Sequence, residues 1–223
     1  MSLWQQGLCY VAWLGAVFTL AEWLRSQKVE SEIVRKVIHI GVGNIILLAW
    51  WLQVPQYLGV AFSLVFSLVA LLSHRLKILP SLNEVGRKSL GTFFYALSVG
   101  ILLALFWQPP HQPFAVIGIL VMTWGDALAA LVGQRWGSHV YTIGSIRKSW
   151  EGSLTMWLIS SLVIALLMSS VVGGSLFITG LSLMLGGLVA GLEIFSWWGI
   201  DNLTVPLSSG VLSYGLWWLL QAH

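Results

Sequence analysis

Charge in this chain is concentrated in short stretches between long apolar runs and just inside their ends, and that pattern points to a membrane-spanning bundle. Of 223 residues, 57% are hydrophobic and 9% charged. Apolar runs of about 17 to 22 residues recur, the length of helix that crosses a ~30 Å hydrocarbon core. Eight spans are expected, at roughly 4–24, 37–54, 57–74, 91–107, 114–133, 152–172, 175–198 and 206–220. The last is short, so seven is the alternative. The expected fold is an all-α, polytopic integral membrane bundle, residues 1–223 forming a single embedded domain. No hydrophilic stretch is long enough for a soluble domain or a linker.

The basic residues fall in alternate connections. Arg25, Lys28, Arg35 and Lys36 lie around the first, Arg75, Lys77, Arg87 and Lys88 around the third, and Arg135, Arg147 and Lys148 around the fifth, while the second, fourth and sixth carry none. By the positive-inside rule the odd-numbered connections are cytoplasmic and both termini lie on the opposite side. The seventh connection, near Asp201 and Asn202, is then cytoplasmic too. The opening, MSLWQQGLCYVAWLG, has no basic segment before its apolar run and reads as a first span rather than a leader. Insertion of the bacterial type is expected, in an inner or thylakoid membrane. The net charge of +3 follows from this orientation and implies no nucleic-acid partner. Cys9, the one cysteine, excludes a disulfide framework and a cysteine-based zinc site.

Within this apolar background a few residues carry chemistry. In the fifth span Gly125, Ala129, Gly133 and Gly137 recur every four residues, a face that by itself reads as close helix packing. Asp126 adds a carboxylate about two turns inside the span, which is costly unless it is paired, hydrated or metal-bound. Three Arg-Lys pairs, Arg35-Lys36, Arg87-Lys88 and Arg147-Lys148, each precede a span running outward from the cytoplasm. A helix N-terminus flanked by cations favours an anion. Two of these pairs are near copies, Arg87-Lys88-Ser89-Leu90-Gly91-Thr92 and Arg147-Lys148-Ser149-Trp150-Glu151-Gly152-Ser153, each with a Ser suited to N-capping and a Gly open to close approach.

Acidic residues gather on the same side: Glu22, Glu151, Glu193 and Asp201. Carboxylates among cations suit a magnesium nucleotide, since Mg2+ takes one or two protein oxygens and the rest from phosphates and water. Glu22, Glu30, Glu32 and Glu84 read better as structural ion pairs. His39 follows Lys36 by three residues and Arg35 by four, on their side of the second span, where it could pack, bind phosphate or carry a proton. His74, His111, His139 and His223 lie in loops or at the terminus. The chain has no Gly-x4-Gly-Lys-Ser/Thr, Gly-x-Gly-x-x-Gly, His-Glu-x-x-His or Asp-Asp-x-x-Asp segment, which excludes the soluble nucleotide folds.

These blocks resemble the CTP-dependent polyprenol kinases, a family of phytol, farnesol and dolichol kinases with relatives described as phosphatidate cytidylyltransferases. The matching stretches are Arg35-Lys36-x-x-His39, then Ser89-x-Gly91-Thr92-x-x-Tyr95, then Gly125-Asp126-Ala127 with Ala129, Gly133 and Gly137. Lys148-Ser149-x-Glu151-Gly152-Ser153 follows, and then Glu193 with Asp201-Asn202-Leu203-x-Val205-Pro206. Asp201-Asn202-Leu203-x-Val205-Pro206 and the short length most resemble the phytol kinase branch. The resemblance implies transfer of the γ-phosphoryl group of CTP to a membrane-dissolved isoprenoid alcohol such as phytol, with residues 125–153 holding the nucleotide.

On this reading Asp126, with Glu193 or Asp201, holds Mg2+. Arg35, Lys36, Lys88, Arg147 and Lys148 clamp phosphates, helped by Ser89, Gly91, Gly133, Gly137, Ser149, Glu151 and Gly152, and Asn202 belongs to the same block. His39 or a carboxylate takes the alcohol proton. Two other functions are open. A CTP:phosphatidate cytidylyltransferase would use the same groups. A transporter would need polar residues towards both faces, and the outer halves of the spans have no charge.

Overall fold

The computed structural model describes residues 1–76, 90–144, 146–195 and 198–221. Ten α-helices occupy these segments: α1 Leu3–Ser26, α2 Ser31–Gly43, α3 Ile45–Trp51, α4 Gln56–Leu76, α5 Gly91–Phe106, α6 Gln112–Leu120, α7 Ala127–Trp136, α8 Trp150–Val172, α9 Leu176–Ile194 and α10 Asp201–Gln221. Among the described residues seven helical stretches are long and apolar enough to cross a membrane, with α2–α3 and α6–α7 each counting as one. The 16-residue α5 is a shorter apolar helix. The expected integral membrane bundle is therefore found, and its last span is longer than hydropathy suggested. Asp201 and Asn202 open α10 rather than lying in a connection, because an acid in a first turn complements the helix dipole.

The middle of the bundle is α6, continued by a π-helical turn, Val121–Asp126, and then by α7. Phe114, Ala115, Val116, Ile117 and Val121 are fully buried, and a helix that is apolar all round belongs inside. Around it pack α5, α10, α8 and α3, with α9 outside α8, α4 outside α5, and α1 against α2 and α3. Hydrocarbon offers no hydrophobic force between helices, so close backbone approach does the joining. At Gly210 an added Cβ would lie 2.8 Å from the Phe114 carbonyl oxygen, and at Gly100 3.1 Å from Ser63 Cβ.

Two features depart from the expected all-helical plan. Helix two breaks at Asn44, dividing α2 from α3. Residues between α7 and α8 form an antiparallel hairpin, β1 Val140–Ile143 and β2 Ile146–Ser149, with Tyr141 opposite Lys148. Gly144, at φ +59°, takes the left-handed conformation that lets the chain reverse. The alternation Val140-Tyr141-Thr142-Ile143 is a strand pattern too short for hydropathy to register.

Candidate functional site

Two lysine–carboxylate pairs lie at one end of the bundle, each joining segments remote in sequence. Lys36 projects from the first turns of α2, and its Nζ lies 2.6 Å from Oδ2 of Asp126, on the π-helical turn, and 3.4 Å from the Asp126 carbonyl oxygen. Lys36 is 4% exposed. Lys148 Nζ, from the hairpin, donates to Glu193 Oε1 at 2.6 Å and also to the Glu193 carbonyl in the last turn of α9. Glu193 is within electrostatic reach of both Asp126 and Asp201, which draws the two pairs into one cluster.

His39 stands beside the first pair. Its Nε2 is 4.0 Å from Asp126 Oδ2, and its ring meets that of Tyr95, on α5, at 5.5 Å between centroids. Tyr95 and Thr123 are joined at 3.0 Å, and Thr123 Oγ1 donates to the Ile119 carbonyl at 2.7 Å. With the Thr123 hydrogen committed to Ile119, Tyr95 is the donor of the pair. The π turn holds Thr123 and Asp126 together, and one-turn π bulges recur at functional sites.

The hairpin is fastened to α8 by Glu151, which accepts from the Ser138 amide (3.1 Å), the Ser138 hydroxyl (2.7 Å) and the His139 amide (3.1 Å) and contacts His139 Nδ1 at 2.8 Å. Tyr141, which shares the inward face with Lys148, meets Ser153 Oγ at 2.5 Å. Burial first, and the Glu193 charge second, push the Tyr141 phenol above its ordinary range despite that contact.

Of the residues expected from sequence to form the site, Lys36, His39, Asp126, Lys148 and Glu193 come together. Lys148 sits on β2, two residues before the helix start, as its place ahead of the span suggested. Glu193 lies in the last turn of α9. Arg35 forms a two-pronged contact to Glu32, at 2.9 and 2.5 Å, and lies within electrostatic reach of Asp126. Arg147 is exposed on the outer face of the hairpin. Asp201 and Asn202 form a local turn in which the Asn202 amide donates to Asp201 Oδ1 at 3.1 Å. Gly91 is the first residue of α5. Lys88 and Ser89 lie outside the described residues.

Gly133 and Gly137 lie on the close-packed face that their spacing suggested, and Ser149 caps the helix that follows it as expected, while Gly152 shares that contact instead of standing open to a ligand. Ser149 caps α8 by accepting from the Gly152 amide at 3.2 Å. A Cβ at Gly133 would meet Ser149 Oγ at 3.0 Å, and one at Gly152 would meet the Ala129 carbonyl oxygen at 3.0 Å. Gly137 is closed in by Gly133 and Ser149. These residues let α7 and α8 touch, and the space beside them is protein.

Among the described residues no group of three or more His, Cys, Asp or Glu side chains is arranged to hold a metal ion. Of the carboxylates expected to hold Mg2+, Asp126 with Glu193 or Asp201, Asp126 is paired with Lys36 and Glu193 with Lys148. Thr123 and Tyr141 were not singled out by sequence patterning. A threonine in an apolar helix and a tyrosine in a short loop carry no signal until the fold places them.

No protein-family model matches the chain, and no solved structure matches it. Among curated proteins it is 47% identical over 215 residues to the phytol kinase of Synechocystis sp., an alignment covering 96% of this chain and 92% of that protein. Phytol kinase 1, chloroplastic, of Arabidopsis thaliana is 29% identical over 66% of this chain and 53% of its own length. CTP-dependent diacylglycerol kinase 1 of Schizosaccharomyces pombe is 27% identical over 88% of this chain and 96% of its own length. A full-length match at this identity, in a bundle with a charged cluster at one end, assigns the chain to the phytol kinase family.

Proposed function

We propose that the protein is a CTP-dependent kinase of a membrane-dissolved isoprenoid alcohol, with phytol the leading acceptor. The observation that carries this is the pairing of two inward lysines with two carboxylates at one end of an apolar bundle, in a chain 47% identical to a phytol kinase. Phosphoryl transfer needs positioning and charge neutralisation more than covalent chemistry. Lys36 and Lys148 supply cations that polyphosphate would attract, and Arg35 and Arg147 add charge near them.

The acceptor oxygen forms a bond to the γ-phosphorus as the bond from that phosphorus to the bridging oxygen of CDP breaks. The hydroxyl proton passes to His39 or a neighbouring carboxylate and then to water. The donor set of Asp126, Glu193 and Asp201 fits Mg2+ brought in with a nucleotide rather than held in advance. When bound, the ion would neutralise phosphate charge. The positive-inside pattern supports a cytoplasmic site.

The relative described as a CTP-dependent diacylglycerol kinase favours diacylglycerol as a second acceptor. Purified protein in liposomes, supplied with labelled CTP, ATP, GTP or UTP and with phytol, farnesol, geranylgeraniol or diacylglycerol, tests the proposal. CDP with a prenyl monophosphate is the expected product. Pyrophosphate with a CDP-lipid would instead identify a cytidylyltransferase, and phosphorylation of diacylglycerol alone would remove the prenol.

A further inference from the structure

The imidazole of His39 has an unmet requirement. Its Nε2 is closed off from solvent and has no hydrogen-bond partner among the described residues, although a buried polar atom is normally satisfied. Around it stand Asp126 Oδ2 at 4.0 Å, too far for a hydrogen bond, and the Tyr95 ring. Lys36 is committed to Asp126. Tyr95 in turn donates to Thr123, which leaves the Tyr95 oxygen with acceptor capacity. With the ring hydrogen on Nδ1, Nε2 is an acceptor without a donor, and one alcohol O–H would satisfy it.

Resting on the kinase reading above, we infer that His39, Tyr95 and Thr123 form the subsite that receives the acceptor hydroxyl. His39 Nε2 is the hydrogen-bond acceptor, and the Tyr95–Thr123 pair is a positioning element. The subsite lies next to Asp126, and so next to the cluster proposed for the nucleotide. It is built from α2, α5 and the π turn, three elements within the apolar part of the bundle. Between α2 and α5 the ring contact of His39 with Tyr95 is a point of meeting, and the two helices do not pack along their lengths. A tail attached to a hydroxyl at this point would lie among apolar helices, so the alcohol need not leave the membrane to react.

The inference separates the roles of neighbouring residues, which makes it measurable. Removing one hydrogen bond to the acceptor should raise its KM about 5- to 50-fold. Thr123→Val and Tyr95→Phe, which remove the pair that positions this bond, should raise KM for the alcohol by up to that amount, with KM for CTP within about twofold, and Thr123→Ser should restore the wild-type value. Equal rises in both KM values would overturn the assignment. A saturated alkyl fluoride keeps the tail and lacks the O–H donor, so it should compete at least about tenfold more weakly than the matching alcohol. Equal competition would count against the subsite.

Placement is tested independently of turnover by a prenol carrying a diazirine next to its hydroxyl end, crosslinked to the wild-type protein and mapped by mass spectrometry. Labels on α2, α5 or the π turn support the subsite. Labels confined to other helices, or no labelling of the chain, overturn it even if the kinase is active. Labelling at the subsite by a protein that forms no lipid monophosphate overturns the kinase reading and leaves the subsite standing.

Discussion

Lys36 and Asp126, 90 residues apart, form an ion pair of 2.6 Å with the lysine 4% exposed. Such a pair is a weak source of net stability, because desolvation offsets the attraction, but removal of one partner leaves a buried charge. Asp126→Asn, which leaves Lys36 buried, should therefore destabilise the protein by about 3 to 5 kcal/mol, Lys36→Met, which leaves the partly exposed Asp126, by less, and the double variant by less than the sum. Thermal unfolding in one detergent provides the double-mutant cycle. Strict additivity would mean that the two side chains do not interact in the folded protein.

Activity distinguishes the two partners further. Asp126→Asn keeps the size of the side chain and removes its charge, so turnover should fall at least about 100-fold, the usual loss when a preorganised electrostatic group is removed. Insertion and helix content, read by circular dichroism, should persist. A well-folded Asn variant with full activity would return Asp126 to a purely structural role.

Lys148 is proposed to bind the nucleotide. Its partner is Glu193, and the hairpin places it on the inward face opposite Tyr141. Lys148→Ala should raise KM for CTP about 10- to 100-fold, the loss expected for a hydrogen bond to a charged group, while KM for the alcohol changes by less than about threefold. Kinetics in liposomes with each substrate varied in turn measures the split, and a larger effect on the alcohol would contradict the assignment.

What the sequence disclosed follows from which signals survive without a fold. Spans were legible because apolar length is a local property, and the meeting of Asp126 with Lys36 was half legible because an embedded carboxylate demands a partner. The identity of that partner was not, since 90 residues of chain separate the two. The spacing of Gly133 and Gly137 read by itself as packing, whereas Gly152 read as open to a ligand. Only the approach of α7 to α8 shows that packing fills the space. The hairpin was missed because four-residue strands leave too short a pattern.

Those glycines make a stability prediction. A Cβ at Gly152 would come within 3.0 Å of a backbone oxygen on α7, whereas one at Gly180 meets nothing within 4 Å. Gly152→Ala should cost about 1 to 3 kcal/mol, and Gly180→Ala should be neutral or stabilising by up to about 1 kcal/mol through helix propensity. Thermal midpoints compared under one condition decide this, and the reverse order would mean that α7 and α8 are not in contact.

The hairpin carries Lys148, and Glu151 is what holds the hairpin base to α8. Its carboxylate accepts from both the amide and the hydroxyl of Ser138 and from the amide of His139. Glu151→Ala removes these acceptors together, and the exposed loop that loses them can turn to water, so global stability should change little. Local order should fall: amide exchange across residues 138–149 should accelerate about tenfold or more, while that of α6 stays slow. Because Lys148 is then less firmly placed, KM for CTP should rise in the same direction as in Lys148→Ala but by a smaller factor. Unchanged exchange in the hairpin would show that Tyr141, Ser153 and the strand pairing hold it without Glu151. Accelerated exchange with an unchanged KM for CTP would show instead that the position of Lys148 does not govern nucleotide use.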